Sequence, residues 1–253
     1  WLVPHFEKML YDQAQLMELY LDAWQITGEQ EFRQVVEGIA NYVLRDLTHP
    51  EGGFYCAQDA QSEGKEGKCF CWTEGELSAL LTADEMKVAR EILGVSEEGN
   101  FIDQSDPEPL PNLNILSFKK PRTDLSESET KSVTGIFKKL AEVRGKRVPP
   151  ATDDKILASW NGLMIGAMAR TGRVLSEPKY LKAARRAHNF IKGRFWDVKS
   201  KRLAHRWREG DRDDSAQAQS YLLFLAGTRK LYEASLQKDD LQLAIGLAES
   251  AVE

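Results

Sequence analysis

Apolar residues recur with the period of an α-helix along much of this chain, most densely between Asp153 and Arg170. This stretch opens polar and closes almost wholly apolar. Its main apolar face consists of Ile156, Leu157, Trp160, Leu163, Met164, Ala167 and Met168. Because Ala158, Ile165 and Ala169 make the opposite side apolar as well, the pattern predicts a helix with neighbours all round it.

The segment that follows has a different pattern, with one apolar face and one charged face. A helix start is indicated by Ser176 and Pro178. The apolar positions are Tyr180, Leu181, Ala184, Ala187, His188 and Ile191, and the charged side carries Lys179, Lys182, Arg185 and Arg186. A buried helix followed by a half-exposed helix is typical of an inner and outer pair.

The same pairing occurs three times in the chain. The first copy is an apolar helix with Leu16, Leu19, Tyr20, Ala23, Trp24 and Ile26, followed by an amphipathic return with Phe32, Val35, Val36, Ile39, Tyr42, Val43 and Leu47. The third copy runs from Tyr221 to Ala234 and returns through Leu241, Ala244, Ile245, Ala248, Ala251 and Val252. When Phe32, Tyr180 and Leu241 are set in register, the apolar positions of the three returns coincide.

Repeated helical hairpins must stack, because none can bury its inner face alone. The sequence therefore predicts an all-α fold, an (α/α) toroid of inner and outer helices that is incomplete in this chain. We expect the inner helices at Tyr11 to Thr27, Asp153 to Thr171 and Tyr221 to Ala234, within a single domain spanning residues 1–253.

The remaining segments are predicted to decorate this array. Alternating residues and a turn-rich centre indicate a small β-hairpin near 53–72. Short helices are predicted at 74–81 and 83–93, an excursion over the surface at 95–126, and an exposed helix at 126–144.

Composition excludes several functions. The 253 residues are 42% hydrophobic and carry a net charge of −5, and no basic stripe suited to nucleic acid is visible. No apolar run approaches a membrane span and no signal peptide opens the chain, so a cytoplasmic protein is expected. The chain begins on Trp1 and stops inside a helical pattern, which indicates a fragment of a longer protein.

Three cysteines, Cys56, Cys69 and Cys71, fall in one short region, and no pair has the spacing of a redox or zinc motif. We therefore predict free thiols. A cross-strand disulfide or a metal site is the alternative. No metal or cofactor is expected.

Ionisable residues crowd the start of the first apolar helix. His5, Glu7, Lys8 and Asp12 precede or open it, where capping and a surface ion pair compete with a functional role. A further acid, Asp59, stands where the first predicted strand runs into its turn.

Several longer motifs resemble one family. The matching stretches are VPHFEKMLYDQA, GGFYCAQDAQSEGKEG, DDKILASWNGLMI and LYEA. They resemble the spermatogenesis-associated protein 20 family of thioredoxin-domain-containing proteins. The resemblance implies a helical toroid similar to six-hairpin glycosidases and N-acylglucosamine 2-epimerases, preceded in the parent chain by a thioredoxin-like domain.

The resemblance also implies which polar positions matter. The matching positions are His5, Glu7, Lys8, Asp12, Asp59, Asp153, Lys155, Trp160 and Asn161. The sequence departs from the family at Gln61, which replaces an acid, and at Ser220, which replaces an aspartate unless Asp213 or Asp214 takes its place.

Two classes of function remain open. In the first, the toroid processes carbohydrate: a glycosidase would use two carboxyl groups among Glu7, Asp59 and Asp153. An epimerase would instead use His5 with His205, since His188 lies on a packing face. In either case Trp160 is expected to stack on a sugar ring and Asn161 to bind its hydroxyls.

In the second class, the ring is a non-catalytic scaffold that binds a partner or a small ligand. The thioredoxin-like domain of the parent chain would then carry any redox chemistry. The missing acid at Ser220 favours this alternative.

Overall fold

The computed structural model describes Leu2–Val252, and this range contains nine α-helices. The helices are α1 (Leu10–Thr27), α2 (Gln30–Asp46), α3 (Glu74–Leu80), α4 (Ala83–Leu93), α5 (Glu127–Arg144), α6 (Ala158–Val174), α7 (Pro178–Phe195), α8 (Ala218–Ser235) and α9 (Lys238–Val252). None of these nine helices is long and apolar enough to cross a membrane.

The strands of the described range are two or three residues long. They are β1 (Lys8–Met9), β2 (Ala57–Gln58), β3 (Gln61–Ser62), β4 (Lys65–Glu66), β5 (Thr152–Asp153), β6 (Ile156–Leu157), β7 (Trp196–Asp197), β8 (Arg202–Leu203), β9 (Arg206–Arg208) and β10 (Asp211–Asp213). They form two three-stranded sheets, in the orders β1-β2-β5 and β10-β9-β6, and the two pairs β3-β4 and β7-β8.

The chain divides into two compact units. One, here called the hairpin unit, consists of Lys8–Gln58 and the chain from Thr152 onward. The other, the loop-rich unit, consists of the segment that ends at Glu7 together with Asp59–Ala151. The single toroid domain over residues 1–253 stays a prediction.

Three helical hairpins build the hairpin unit, as the sequence repeat predicts. They are α1 with α2, α6 with α7, and α8 with α9, and α6 packs against α1, α7 and α8. The helix α6 is therefore the centre of the array. Its first residue is Ala158, because Asp153 and Ile156 to Leu157 form short strands instead of the expected first helical turn.

Burial separates the central hairpin into an inner and an outer helix. In α6, 12 of 17 residues are buried, against 7 of 18 in α7. Tyr180, Ala184 and Ile191 of α7 are fully buried on its apolar face, as predicted. The prediction that α6 is the more buried of the two is confirmed.

Glycines bring α6 and α8 into backbone contact. A Cβ at Gly162 would lie 2.3 Å from the carbonyl oxygen of Leu223, and a Cβ at Gly227 would lie 2.1 Å from the carbonyl oxygen of Gly162. Since backbone atoms cannot move aside as a flexible side chain can, only glycine fits at these two positions. Because glycine has no side chain at these positions, the backbones of the two inner helices can lie this close together.

The predicted apolar faces of α1 and α9 are only partly correct: Tyr20 and Trp24 of α1 pack against the core and Ala244 of α9 is buried, but other predicted residues are exposed. Leu16, Leu19 and Ile26 of α1 are 41%, 62% and 84% exposed, and the buried residues are instead Leu10, Ala14, Met17 and Leu21. In α9, Leu241, Ile245 and Val252 are exposed, and Leu243, Ala244 and Leu247 are buried. Both helices carry apolar residues on more than one side, so periodicity alone does not identify the side that packs.

The β-hairpin lies inside the predicted region, but its strands differ from those expected. The hairpin pairs β3 with β4 through Glu63 and Gly64, which both have positive φ, as a tight two-residue hairpin turn requires. Ala57 pairs with Met9 and Asp153 instead of with the segment from Cys69 to Trp72. All three cysteines are free and buried, as predicted.

The loop-rich unit contains α3, α4 and α5 around a second apolar core. Thr73, Thr82 and Ser126 each cap a helix through a capping box with a glutamate three residues later. The structure confirms the two short helices and the longer third helix that the sequence predicts in this region. The excursion over residues 95–126 is pinned by Asn114, which is fully buried and bonds both the N–H and the carbonyl of Ser96.

Candidate functional site

Two small sheets hold the start of α6 in the hairpin unit. In the first, Asp153 lies opposite Ala57, which lies opposite Met9 on the strand that leads into α1. In the second, Leu157 lies opposite Arg206 on the strand β9. The amino-terminal ends of α1 and α6 are thereby tied to the same end of the unit.

The start of α8 reaches the same end through His205. The backbone N–H of Ala158 donates to the carbonyl of His205 at 3.1 Å, and the His205 ring nitrogen Nδ1 lies 3.1 Å from the hydroxyl of Ser220. Ser220 is the third residue of α8 and is fully buried. Three inner helices therefore direct the positive ends of their dipoles to one end of the hairpin unit.

An aromatic pair stands at this end. Tyr11 and Trp160 lie in the first turns of α1 and α6, with ring centroids 4.8 Å apart and ring planes inclined at 66°. Both side chains are partly exposed. Sequence reasoning selected Trp160 but missed Tyr11, whose only sequence signal is its place beside Asp12 at the helix start.

Charged groups flank the aromatic pair. The Lys155 ammonium lies 3.1 Å from the Asp153 carboxylate, and both side chains are about two-fifths exposed. Asp12 is exposed in the first turn of α1, and Lys8 lies partly buried on β1. The sequence-predicted residues Lys8, Asp12, Asp153, Lys155, Trp160 and His205 thus all belong to elements at this end.

Asn161 has a different role from the one expected. It is fully buried, its Oδ1 accepts from the N–H of Phe54 at 2.8 Å, and its Nδ2 donates to the carbonyls of Phe54 and Leu157. Both amide hydrogens are occupied by backbone. The expectation that Asn161 binds ligand hydroxyls is therefore corrected: this amide fastens the segment around Phe54 to the start of α6.

Neither aspartate before α8 replaces the missing acid at Ser220. The Asp213 carboxylate accepts from the N–H of Ser215 at 2.9 Å, and this bond holds the pKa of Asp213 below its usual value. Asp214 is exposed and pairs with Arg212 at 2.6 Å. The partner of the Ser220 hydroxyl is the His205 ring, so neither aspartate bonds Ser220 at the start of α8.

The other predicted acids lie in the loop-rich unit. His5 Nε2 lies 3.3 Å from the Glu7 carboxylate, with both side chains exposed, and the exposed Asp59 accepts from the N–H of Gln61 at 3.1 Å. These contacts match a surface pair and a turn. Because the two units are described separately, the convergence of His5, Glu7 and Asp59 with Asp153 stays a prediction.

Cys56 lies directly beneath the strand that carries Asp153. Its N–H donates to the carbonyls of Asp153 and Lys155, and burial, together with the Asp153 charge, raises the pKa of its thiol to about 12. This thiol is therefore protonated at neutral pH and is a poor nucleophile. Across the described residues, no cluster of three or more His, Cys, Asp or Glu side chains could hold a metal ion.

Comparison of the sequence with curated proteins finds relatives of this chain over nearly its whole length. Human and mouse spermatogenesis-associated protein 20 are each 34% identical over 282 residues, a match that covers 99% of this chain and 36% of each relative. This chain is their homologue. It spans about a third of their length. No family model matches the chain.

Solved structures with the same fold are carbohydrate-active enzymes. A glycoside hydrolase family 76 mannosidase from Bacteroides thetaiotaomicron superposes with a TM-score of 0.54 at 10% identity, covering 97% of this chain and 44% of that one. An unsaturated glucuronyl hydrolase from Bacillus sp. GL1 gives 0.52 at 13% identity, over 97% and 46%. The (α/α) toroid predicted from the repeats is confirmed.

Proposed function

We propose that the hairpin unit binds a saccharide at the end where α1, α6 and α8 begin. The observation that carries this proposal is the partly exposed pair Tyr11 and Trp160. Aromatic rings stack on the apolar faces of sugar rings, because both surfaces are flat and the contact removes apolar area from water. The likeness in fold to a mannosidase supports the choice of ligand class.

Polar side chains around the pair suit the hydroxyl groups of a sugar. Asp12 and Asp153 accept hydrogen bonds, Lys155 donates them, and His205 can do either according to its tautomer. The aligned helix dipoles add donors and positive potential at the same end. We therefore assign ligand contacts to Tyr11, Trp160 and these neighbouring residues, and Asn161 is left out because its amide is occupied by backbone.

For catalysis, Asp153 is the acid–base candidate within the hairpin unit. Glycoside cleavage requires a second carboxyl group at a fixed distance, which Glu7 or Asp59 would supply. Sugar epimerisation would use His5 with His205. The Asp153 carboxylate is paired with the Lys155 ammonium at 3.1 Å, so a substrate would have to compete with this pair.

The second candidate function is a saccharide-binding scaffold without catalysis. Ser220 favours it, since this residue stands where the family has an aspartate and its hydroxyl contacts His205 instead. Both proposed functions use the aromatic pair Tyr11 and Trp160 to bind the saccharide, and they differ only in whether the saccharide is turned over.

Binding is tested by titrating the protein with neutral and acidic mono- and oligosaccharides in a calorimeter. We expect Tyr11→Ala to weaken binding by about tenfold, the order expected when one stacked ring is lost, and Trp160→Phe, which keeps a smaller ring, to weaken it by less. Trp24→Phe, at the far end of α1, is the matched control and should leave affinity unchanged. Failure of every saccharide to bind would overturn the proposal.

Turnover separates the two functions. If the protein is an enzyme, Asp153→Asn should lower its rate by about a hundredfold or more, a much larger loss than any it causes in saccharide affinity. Binding without turnover in the unmodified protein would select the scaffold.

A further inference from the structure

A concave site lies in the hairpin unit, away from the aromatic pair. It is a cavity of about 250 Å³ between the carboxyl-terminal halves of α6 and α8. Four of its five lining residues are basic: the lining is Arg170, Arg173, Arg229, Lys230 and Glu233. Such a concentration of positive charge contrasts with the net charge of −5 on the chain.

The close approach of α6 and α8 sets one of these cations in place. Gly166 lies against Gly227, and a Cβ at Gly166 would come within 2.9 Å of the Lys230 side chain. The aliphatic stem of Lys230 therefore lies over the bare backbone of Gly166. Its ammonium is then held by Glu18 of α1.

Two further cations of the cavity, Arg170 and Arg229, are also paired with carboxylates. Arg170 bonds Asp22 and the side-chain carbonyl of Gln25, and the Arg170 charge holds the pKa of Asp22 below its usual value. Arg229 pairs with Glu233 on the next turn of α8 at 2.5 Å. These carboxylates orient the cations and leave donor positions of the guanidinium groups unused.

The fourth cation, Arg173, is exposed, and its side chain is paired with no carboxylate among residues 2–252. Four positive charges thus face three negative ones, those of Glu18, Asp22 and Glu233. Like charges held close together repel, and an arriving anion relieves that repulsion.

The helix dipole explains only part of this arrangement of cations. Arg170 and Arg173 lie near the carboxyl-terminal end of α6, where a positive charge favours the helix dipole. Arg229 and Lys230 have no such reason, since the last turn of α8 contains no basic residue and they stand before it. Their side chains enter the cavity instead.

We propose that this cavity is a binding site for a small oxyanion of the phosphate or carboxylate type. Arg173 and Arg229 make the direct contacts at the rim, and Arg170 and Lys230 supply fixed positive charge behind them. Guanidinium groups suit this ligand because their N–H donors match two oxygens at once. Glu233 opposes binding, because it competes for Arg229.

The test is a titration of the full chain with inorganic phosphate, and separately with acetate, against sodium chloride at the same ionic strength. Binding is followed by NMR through the arginine Nε–H signals and the backbone amides of Arg170 to Val174. We expect saturable shifts confined to the cavity, with phosphate or acetate acting well below the chloride concentration. The stronger of the two identifies the oxyanion type.

Three variants fix the site. Arg173→Gln with Arg229→Gln should weaken binding by about tenfold or more, the order of one lost charge-assisted hydrogen bond. Glu233→Gln should strengthen it several-fold. The control is Lys182→Gln, which removes one exposed charge from α7 and should change affinity by less than about twofold.

Several outcomes would overturn the site. These are shifts that chloride reproduces at equal ionic strength, a Glu233→Gln variant that binds more weakly, and a loss in Lys182→Gln equal to that of the rim variant. Thermal unfolding of every variant is recorded, so that a folding defect is recognised as such. Since all four substitutions are on exposed side chains, we expect each variant to fold.

Discussion

Different interactions stabilise the interior of each of the two units of this chain. The hairpin unit is built on helix-to-helix contact, with Gly162 and Gly227 bringing the backbones of α6 and α8 together. In the loop-rich unit, polar side chains fasten irregular backbone. Arg147 there donates to the carbonyls of Lys68, Cys69 and Cys71 and lies 3.7 Å from the centroid of the Trp72 ring.

This difference decides what each unit tolerates. A close-packed helix pair has no room for an added methyl group, because nothing beside it can move. A loop fastened by one guanidinium tolerates added volume but not the loss of its donors, since several buried carbonyls would be left without partners. Substitutions of matched size should therefore change the stability of the two units by different amounts.

The largest effect is expected at Gly162. In Gly162→Ala the new Cβ would lie 2.3 Å from the carbonyl oxygen of Leu223, so the two helices must separate. We expect a loss of about 3 kcal/mol in the free energy of unfolding. Chemical denaturation followed by far-UV circular dichroism measures it.

Gly38→Ala is the matched control, because a Cβ at Gly38 in α2 meets nothing within 4 Å. It should stabilise the protein by about 0.5 to 1 kcal/mol through helix propensity. Equal destabilisation by the two substitutions would show that helix contact does not hold the hairpin unit.

The next effect is expected at Arg147 in the loop-rich unit. Arg147→Ala removes donors from three carbonyls and from Glu76, and should cost about 2 to 3 kcal/mol. Hydrogen exchange of the amides from Lys68 to Glu76 should quicken before those of α6. The exposed neighbour Lys146→Ala should cost less than about 0.5 kcal/mol. If exchange quickens first in α6, Arg147 does not act as the local fastening.

Sequence predicted the hairpin unit better than the loop-rich unit for the same physical reason. The helical hairpin repeats along the chain, so aligning the apolar positions of its three copies reveals the helix-to-helix packing. The fastening by Arg147 and the bond between Asn161 and Phe54 join residues about 70 to 110 positions apart, and periodicity does not reveal them. The site follows this rule: the sequence correctly predicts that Trp160 lies at a helix start, whereas it assigns Asn161 to a ligand contact that the structure shows to be a backbone contact.

A pH titration compares the units again, with a smaller effect. His188 in α7 is buried against Phe224, near Asp240, Arg185 and Lys192, and burial lowers its pKa to about 4. In the unfolded chain it takes up a proton near pH 6.5, while the folded state resists protonation down to about pH 4. Stability therefore falls as pH drops through this window, and is unaffected by His188 above it.

The loop-rich unit responds at lower pH. The Ser126 N–H and the Lys120 ammonium hold the pKa of Glu129 at about 2, against an ordinary value of 4.5. Its contribution is complete above pH 4.5 and is lost as pH falls toward 2. As the pH is lowered from 7 to 3, hydrogen exchange should therefore show a loss of protection in α7 first and at the start of α5 later. His188→Gln should remove only the earlier change, and its persistence in that variant would assign the change to another group.

The smallest effect, expected at Leu19, tests which side of α1 faces the core. Leu19, which lies on the face chosen by sequence periodicity, is 62% exposed, whereas Met17 is fully buried. Met17→Ala should cost about 3 kcal/mol, because it leaves a cavity in the core. Leu19→Ala should cost less than about 0.5 kcal/mol, since an exposed side chain loses little on truncation and alanine favours the helix. Thermal and chemical unfolding of the two variants measure both values under the same conditions. A cost at Leu19 close to that at Met17 would mean that this face of α1 is covered in solution, and that the periodicity had identified a real contact surface.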